Sequence, residues 1–103
     1  MHIYTITVIS SIECKDNQLP ELGITRTVGF YVNKTNAVAA VTANCCNINE
    51  YVYNYALIER IDEGLYSCSS KQDRMLFRFN DNTKQYEEID AKCLNDIYAV
   101  SIG

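Results

Sequence analysis

The chain has 103 residues, 48% of them apolar, with one Pro, four Gly and a formal net charge of −4. That length makes one domain around one core, and so few Pro and Gly leave no room for a long disordered linker. The acidic balance excludes a general DNA or RNA binder, which needs a basic surface, whereas a pocket for one small anion needs only a few well-placed Arg or Lys.

Residues 2–12 (HIYTITVISSI) are rich in β-branched side chains and predict the first strand, with Tyr4, Ile6 and Val8 on one face. The same pattern reads as a strand and not as a signal peptide. No apolar run approaches the roughly 18 residues of a membrane span, which predicts no membrane partner. Residues 13–23 predict a polar connection punctuated by Pro20 and Gly23. Residues 24–32 (ITRTVGFYV) predict a second strand. Regular alternation puts Ile24, Arg26, Val28, Phe30 and Val32 on one face and Thr25, Thr27, Gly29 and Tyr31 on the other.

Asn33 predicts an N-cap, followed by a helix over 34–46 with a packing stripe of Ala37, Val41 and Ile48, flanked by Ala40, Val38 and Cys45, whose small residues let it sit close to a sheet. Asn44 and Asn47 suit its end, because Asn tolerates the left-handed conformation. The run 53–61 (YNYALIERI) is apolar on both faces and predicts a strand inside the sheet. Asp62-Glu63-Gly64 predicts a turn with Gly64 at positive φ. After a polar loop over 67–74, residues 75–80 and 85–89 predict a hairpin across a turn at 81–84. Residues 90–96 predict one or two helical turns capped by Asp90, and 97–102 a last strand.

The order β-β-α-β-β-β-(short α)-β predicts an α+β fold in a single domain, 1–103. Its mainly antiparallel, twisted sheet has about five to six strands, and the one main helix packs on one face.

Five cysteines (Cys14, Cys45, Cys46, Cys68, Cys93) show no CxxC spacing and accompany one His, His2. That set predicts no structural metal and no cofactor, and reduced, half-buried thiols in a cytoplasmic protein. No nucleophile, metalloprotease, P-loop or dinucleotide motif is present, so no catalytic residue is assigned. The candidate contacts are Arg26 flanked by Thr25 and Thr27, a guanidinium and two hydroxyls able to hold a phosphate or carboxylate. The alternative is Arg26 at a sheet rim, paired with Glu50 or Glu59. Tyr31, Tyr51, Tyr55 and Tyr66, with Arg60, supply candidate aromatic and cationic contacts near the helix-to-strand junction. An open sheet edge beside an aromatic face predicts a homo-oligomer.

Thr27-Val28-Gly29-Phe30-Tyr31, then Ala37, Ala40-Val41, Asn44 and Ile48-Asn49-Glu50, lead into residues 53–59 (YNYALIE) and Glu63-Gly64-Leu65-Tyr66. Together these resemble a group of small proteins of unassigned activity from Gram-positive gut bacteria and their phages. Those relatives carry Asp at the position of Asn47 and favour Trp at the positions of Phe30 and Phe77. The resemblance implies a bacterial or phage origin and action in the cytoplasm, and says nothing of substrate. Two functional readings follow. The first is a non-catalytic binding protein, in its sharpest form a phage anti-defence protein. It would sequester a nucleotide immune signal, with Arg26, Arg60 or Lys34 on the phosphates, or block a host defence protein. The second is a small nucleotide- or metabolite-processing enzyme using Glu50, Glu59 or Glu63 in acid–base chemistry. A housekeeping interaction domain is the third, plainer reading.

Overall fold

Strand β1 (His2–Ile9) lies between two antiparallel neighbours, β4 (Thr25–Tyr31) and β5 (Tyr55–Asp62). The hairpin of β6 (Met75–Asn80) and β7 (Gln85–Ile89) continues the sheet beyond β5, giving the order β4-β1-β5-β6-β7. A separate two-residue ladder, β2 (Ile12–Glu13) with β3 (Glu21–Leu22), sits where a plain connection was expected. This is a computed structural model and it describes residues 1–14, 19–64 and 74–94, residue 93 by its backbone alone. The last predicted strand, over 97–102, lies outside the described residues. The fold is α+β, with one helix on one face of an antiparallel five-stranded sheet, as the sequence predicts.

Strand β5 is central because it can bury both faces. Ala56 and Ile58 enter the core beneath the helix, and Leu57 enters a second cluster on the opposite face with Ile9, Leu76 and Leu94. The strand starts at Tyr55, two residues later than predicted. Tyr53 belongs to the preceding loop and packs against the helix-side core, not beside Tyr55.

Helix α1 (Lys34–Thr42) is capped as predicted: the Thr35 backbone N–H donates to Asn33 Oδ1 at 2.8 Å. It buries Ala37, Ala40 and Val41 against the sheet. The helix ends four residues before the predicted boundary, because Asn44 takes the left-handed conformation (φ 50°, ψ 45°). The Ala43 N–H then donates to the Ala39 carbonyl and the Asn44 N–H to the Val41 carbonyl, closing the last turn.

Two glycines answer to geometry. Gly64 holds φ 133°, as the turn predicted. A Cβ on Gly23 would come within 2.3 Å of Ser10 Oγ and 2.4 Å of Ser11 Oγ, so a side chain there would displace both hydroxyls, including the Ser10 Oγ that accepts from the Ile24 N–H. At the other end of the described chain, the Lys92 N–H donates to Asp90 Oδ1 at 2.9 Å and opens one 3-10 turn, Lys92–Leu94.

The cysteines depart from expectation. Cys14 is disulfide-bonded, and Cys45 and Cys46 are free but exposed, not half-buried. Among the described residues, no helix is long and apolar enough to cross a membrane, and no group of three His, Cys, Asp or Glu could hold a metal ion.

Candidate functional site

The regular alternation predicted for residues 24–32 is broken by a β-bulge. Gly29 pairs with Ile6 and Thr27 with Thr7, so Val28 is the extra residue. Directly opposed residues share a sheet face. Arg26, opposite Val8, and Tyr31, opposite Tyr4, therefore lie on the helix side. Thr25, Thr27 and Phe30 lie on the other side, with Ile9, Thr7 and Thr5. This corrects the predicted faces: Phe30 leaves the row of Arg26, and Tyr31 joins it.

The predicted contact residues do not converge. Arg26 sits at the sheet end where α1 finishes, and its Nη1 lies 3.3 Å from Glu50 Oε2 in an exposed pair. Thr27 faces away and its hydroxyl shares a hydrogen bond of 2.9 Å with that of Thr7. Tyr55 is also on the far face, opposite Arg78. Arg60 pairs across β1 with Tyr4 at the opposite end of the sheet, its Nε 3.5 Å from Asp62 Oδ1. Tyr31 is at that same far end, and Tyr66 lies outside the described residues. Arg26 and Arg60 are thus held apart at the two ends of one face.

The three candidate carboxylates are likewise separate. Glu50 pairs with Arg26, and Glu63 stands exposed, 4.0 Å from the N-terminal amine. Glu59 is wholly buried on the far face, 3.7 Å from the equally buried Arg74 Nε. Arg74 Nη1 also donates to the Leu94 carbonyl. Thr5 Oγ1 donates to the Glu59 carbonyl.

What the structure does assemble is the segment between α1 and β5. Five non-glycine residues there hold positive φ: Asn44, Cys46, Asn47, Glu50 and Tyr51. Such conformations are uncommon outside glycine, mildest for Asn, and persist only where the surroundings impose them. Here the Asn44 and Asn47 amides hold the first half of the segment, Asn44 Nδ2 donating to Asn47 Oδ1 at 3.3 Å, and one buried residue, Asn49, holds the second. Its Nδ2 donates to the Tyr53 carbonyl at 2.7 Å, and its Oδ1 accepts from the Tyr51 N–H at 3.0 Å. Its backbone N–H donates to Asn44 Oδ1, and its carbonyl accepts from the Val52 and Tyr53 N–H groups. From below, the Tyr86 hydroxyl donates to the same Tyr53 carbonyl at 2.7 Å. Burial pushes the Tyr86 phenol up to about 12, against a smaller lowering by Asn49.

The outcome is a fixed polar loop that holds Tyr51 out at 90% exposure, with Val52 beside it and the Arg26–Glu50 pair at its flank. An open cleft of about 280 Å³ runs between this loop and the β6–β7 turn, lined by Asn47, Tyr51, Asp81 and Lys84 among others. Tyr51 was legible as a candidate contact. Asn49 was missed as the organiser, and the signal for it was the run Asn44, Asn47, Asn49, three residues suited to tight turns within six positions.

No protein-family model, no curated protein and no solved structure matches this chain.

Proposed function

We propose that this is a non-catalytic binding protein that engages a protein partner through the loop at 44–52. The observation that carries the reading is Tyr51, presented almost fully exposed on a backbone held in left-handed conformations by buried Asn49. An exposed tyrosine on a constrained backbone, beside a small apolar residue and an ion pair, is suited to a partner's pocket, because the backbone needs no ordering on docking and the side chain has only two torsions to fix. The nucleotide form of the reading has less support, since Arg26 and Arg60 stand at opposite ends of the face. The acid–base enzyme has less still, with Glu50, Glu59 and Glu63 apart and Glu59 sealed against Arg74. Following the resemblance to phage-borne proteins, the proposed partner is a host defence protein, blocked in the bacterial cytoplasm. The Cys14 disulfide fits that compartment least well, and thiol counting on protein taken from cytoplasmic extract addresses it.

The test places a photo-crosslinking amino acid at Tyr51 and, as a control, at exposed Glu87 at the other side of the sheet. In host cells, position 51 is expected to yield one discrete protein adduct and position 87 none. Equal labelling from both, or none from 51, overturns the reading. Native mass spectrometry that finds a stoichiometric nucleotide on the purified protein overturns it in favour of sequestration.

A further inference from the structure

Among the described residues, the sheet's two edge strands are built differently. Strand β7 presents Gln85, Glu87 and Glu88 to solvent, and charges of this kind discourage pairing with another strand. Strand β4 exposes Val28, Phe30 and Tyr31, with Ile24 and Val32 flanking it at 65% and 60% exposure. In its middle is Gly29. The backbone there is outside the left-handed region, and a Cβ would meet nothing within 4 Å. Neither strain nor internal crowding therefore requires glycine, although glycine weakens a strand. A strand glycine marks a bulge, such as the one next to it at Val28, or a place where another chain approaches closely, and the empty space above Gly29 suits the second as well as the first.

We propose that β4 pairs antiparallel with β4 of a second copy, about a two-fold axis through Phe30. In that register Gly29 stands opposite Tyr31 of the second copy. Gly29 and Tyr31 share a face by simple alternation, the bulge at Val28 having turned that face to the helix side, so each tyrosine ring covers the bare glycine of the other chain. Phe30, 61% exposed on the opposite face, meets its own copy on the axis, and Val28 meets Val32. Other registers lose this fit. A shift of one residue sets Gly29 against Phe30, which points to the other face. A shift of two sets it against itself or against Asn33. Arg26 comes toward Lys34 of the second copy, where the chain has turned into the helix, and Glu50 beside Arg26 supplies the counter-charge. An isologous pairing of this kind closes on itself and leaves no free β4 edge. It shares only the Arg26–Glu50 pair with the partner-binding reading, which centres on Tyr51 in the loop at 44–52.

Sedimentation velocity over a concentration series tests the proposal. The wild type is expected to show a reversible monomer–dimer equilibrium. Phe30→Glu sets two carboxylates on the axis and is expected to raise the dimer Kd by about tenfold or more, with circular dichroism unchanged because the side chain is exposed. Gly29→Val fills the space meant for Tyr31 and is expected to weaken the dimer while the monomer still folds. The register is read with Phe30→Cys in a Cys45→Ser, Cys46→Ser background. Oxidised glutathione is expected to link it into a covalent dimer, since directly opposed strand positions lie within disulfide reach. Ile24→Cys in the same background is expected not to link. A wild type that stays monomeric at millimolar concentration overturns the proposal. So does a dimer indifferent to Phe30→Glu and unlinked by Phe30→Cys.

Discussion

Replacing Asn49 separates a loop held by one amide from a loop that holds itself. Asn49→Ala removes two side-chain hydrogen bonds, to the Tyr53 carbonyl at 2.7 Å and from the Tyr51 N–H at 3.0 Å, at a position only 4% exposed. The Tyr53 carbonyl keeps the Tyr86 hydroxyl, so it is not orphaned, while the Tyr51 N–H loses its partner. Two such bonds, one leaving an unmatched donor, come to about 2–3 kcal/mol. For a chain of this size that is a fall in Tm of roughly 10–15 °C. Asn49→Asp sharpens the test. The carboxylate keeps the acceptor for Tyr51 but faces the Tyr53 carbonyl without a donor, so its folded pKa is raised above the unfolded value of about 3.9. A raised folded pKa contributes stability below the unfolded pKa and loses it as pH rises through the folded one. The Asp variant is therefore expected to approach the wild type near pH 4 and to fall away toward pH 7, by urea denaturation of both proteins at each pH. A loss under about 0.5 kcal/mol for Asn49→Ala, or a pH-independent difference for Asn49→Asp, refutes the assignment of Asn49 as the organiser.

Tyr86→Phe removes the hydroxyl bond to Tyr53 and is expected to cost about 1 kcal/mol at neutral pH. The wild-type phenol is raised to about 12, so its contribution is present below pH 10 and lost between pH 10 and 12. The deficit of the Phe variant should shrink over that window in denaturation curves. Arg74→Met removes the described cation beside buried Glu59 and is expected to cost about 3–5 kcal/mol, with much of the loss recovered in the Arg74→Met, Glu59→Gln double variant. Arg26→Ala breaks an exposed pair and is expected to change stability by less than about 1 kcal/mol, read by the same denaturation midpoint.

Local chemistry was legible in the sequence. Asn33 caps the helix, Asn44 ends it, Gly64 turns the chain, Asp90 opens the last 3-10 turn, and the 75–89 hairpin forms as its pattern predicts. Each of these depends on a residue's own backbone preferences or on partners a few positions away, and these are written in the order of residues. The centrality of β5 was legible for a related reason: a strand that is apolar on both faces must be covered on both.

The tertiary structure alone decided what depends on partners far along the chain. The bulge at Val28 exists only in the pairing of β4 with β1, and it reassigns Phe30 and Tyr31 to opposite faces from those alternation implies. Arg26 had Glu50 and Glu59 as candidate partners. The fold gives it Glu50, and buries Glu59 against Arg74 on the other side of the sheet. Asn49 looks like one loop residue among several until Tyr53 and Tyr86 meet it. Alternation, capping and turn chemistry act over one to four residues, whereas a bulge, a buried ion pair and a shared carbonyl are set by which distant segments pack together.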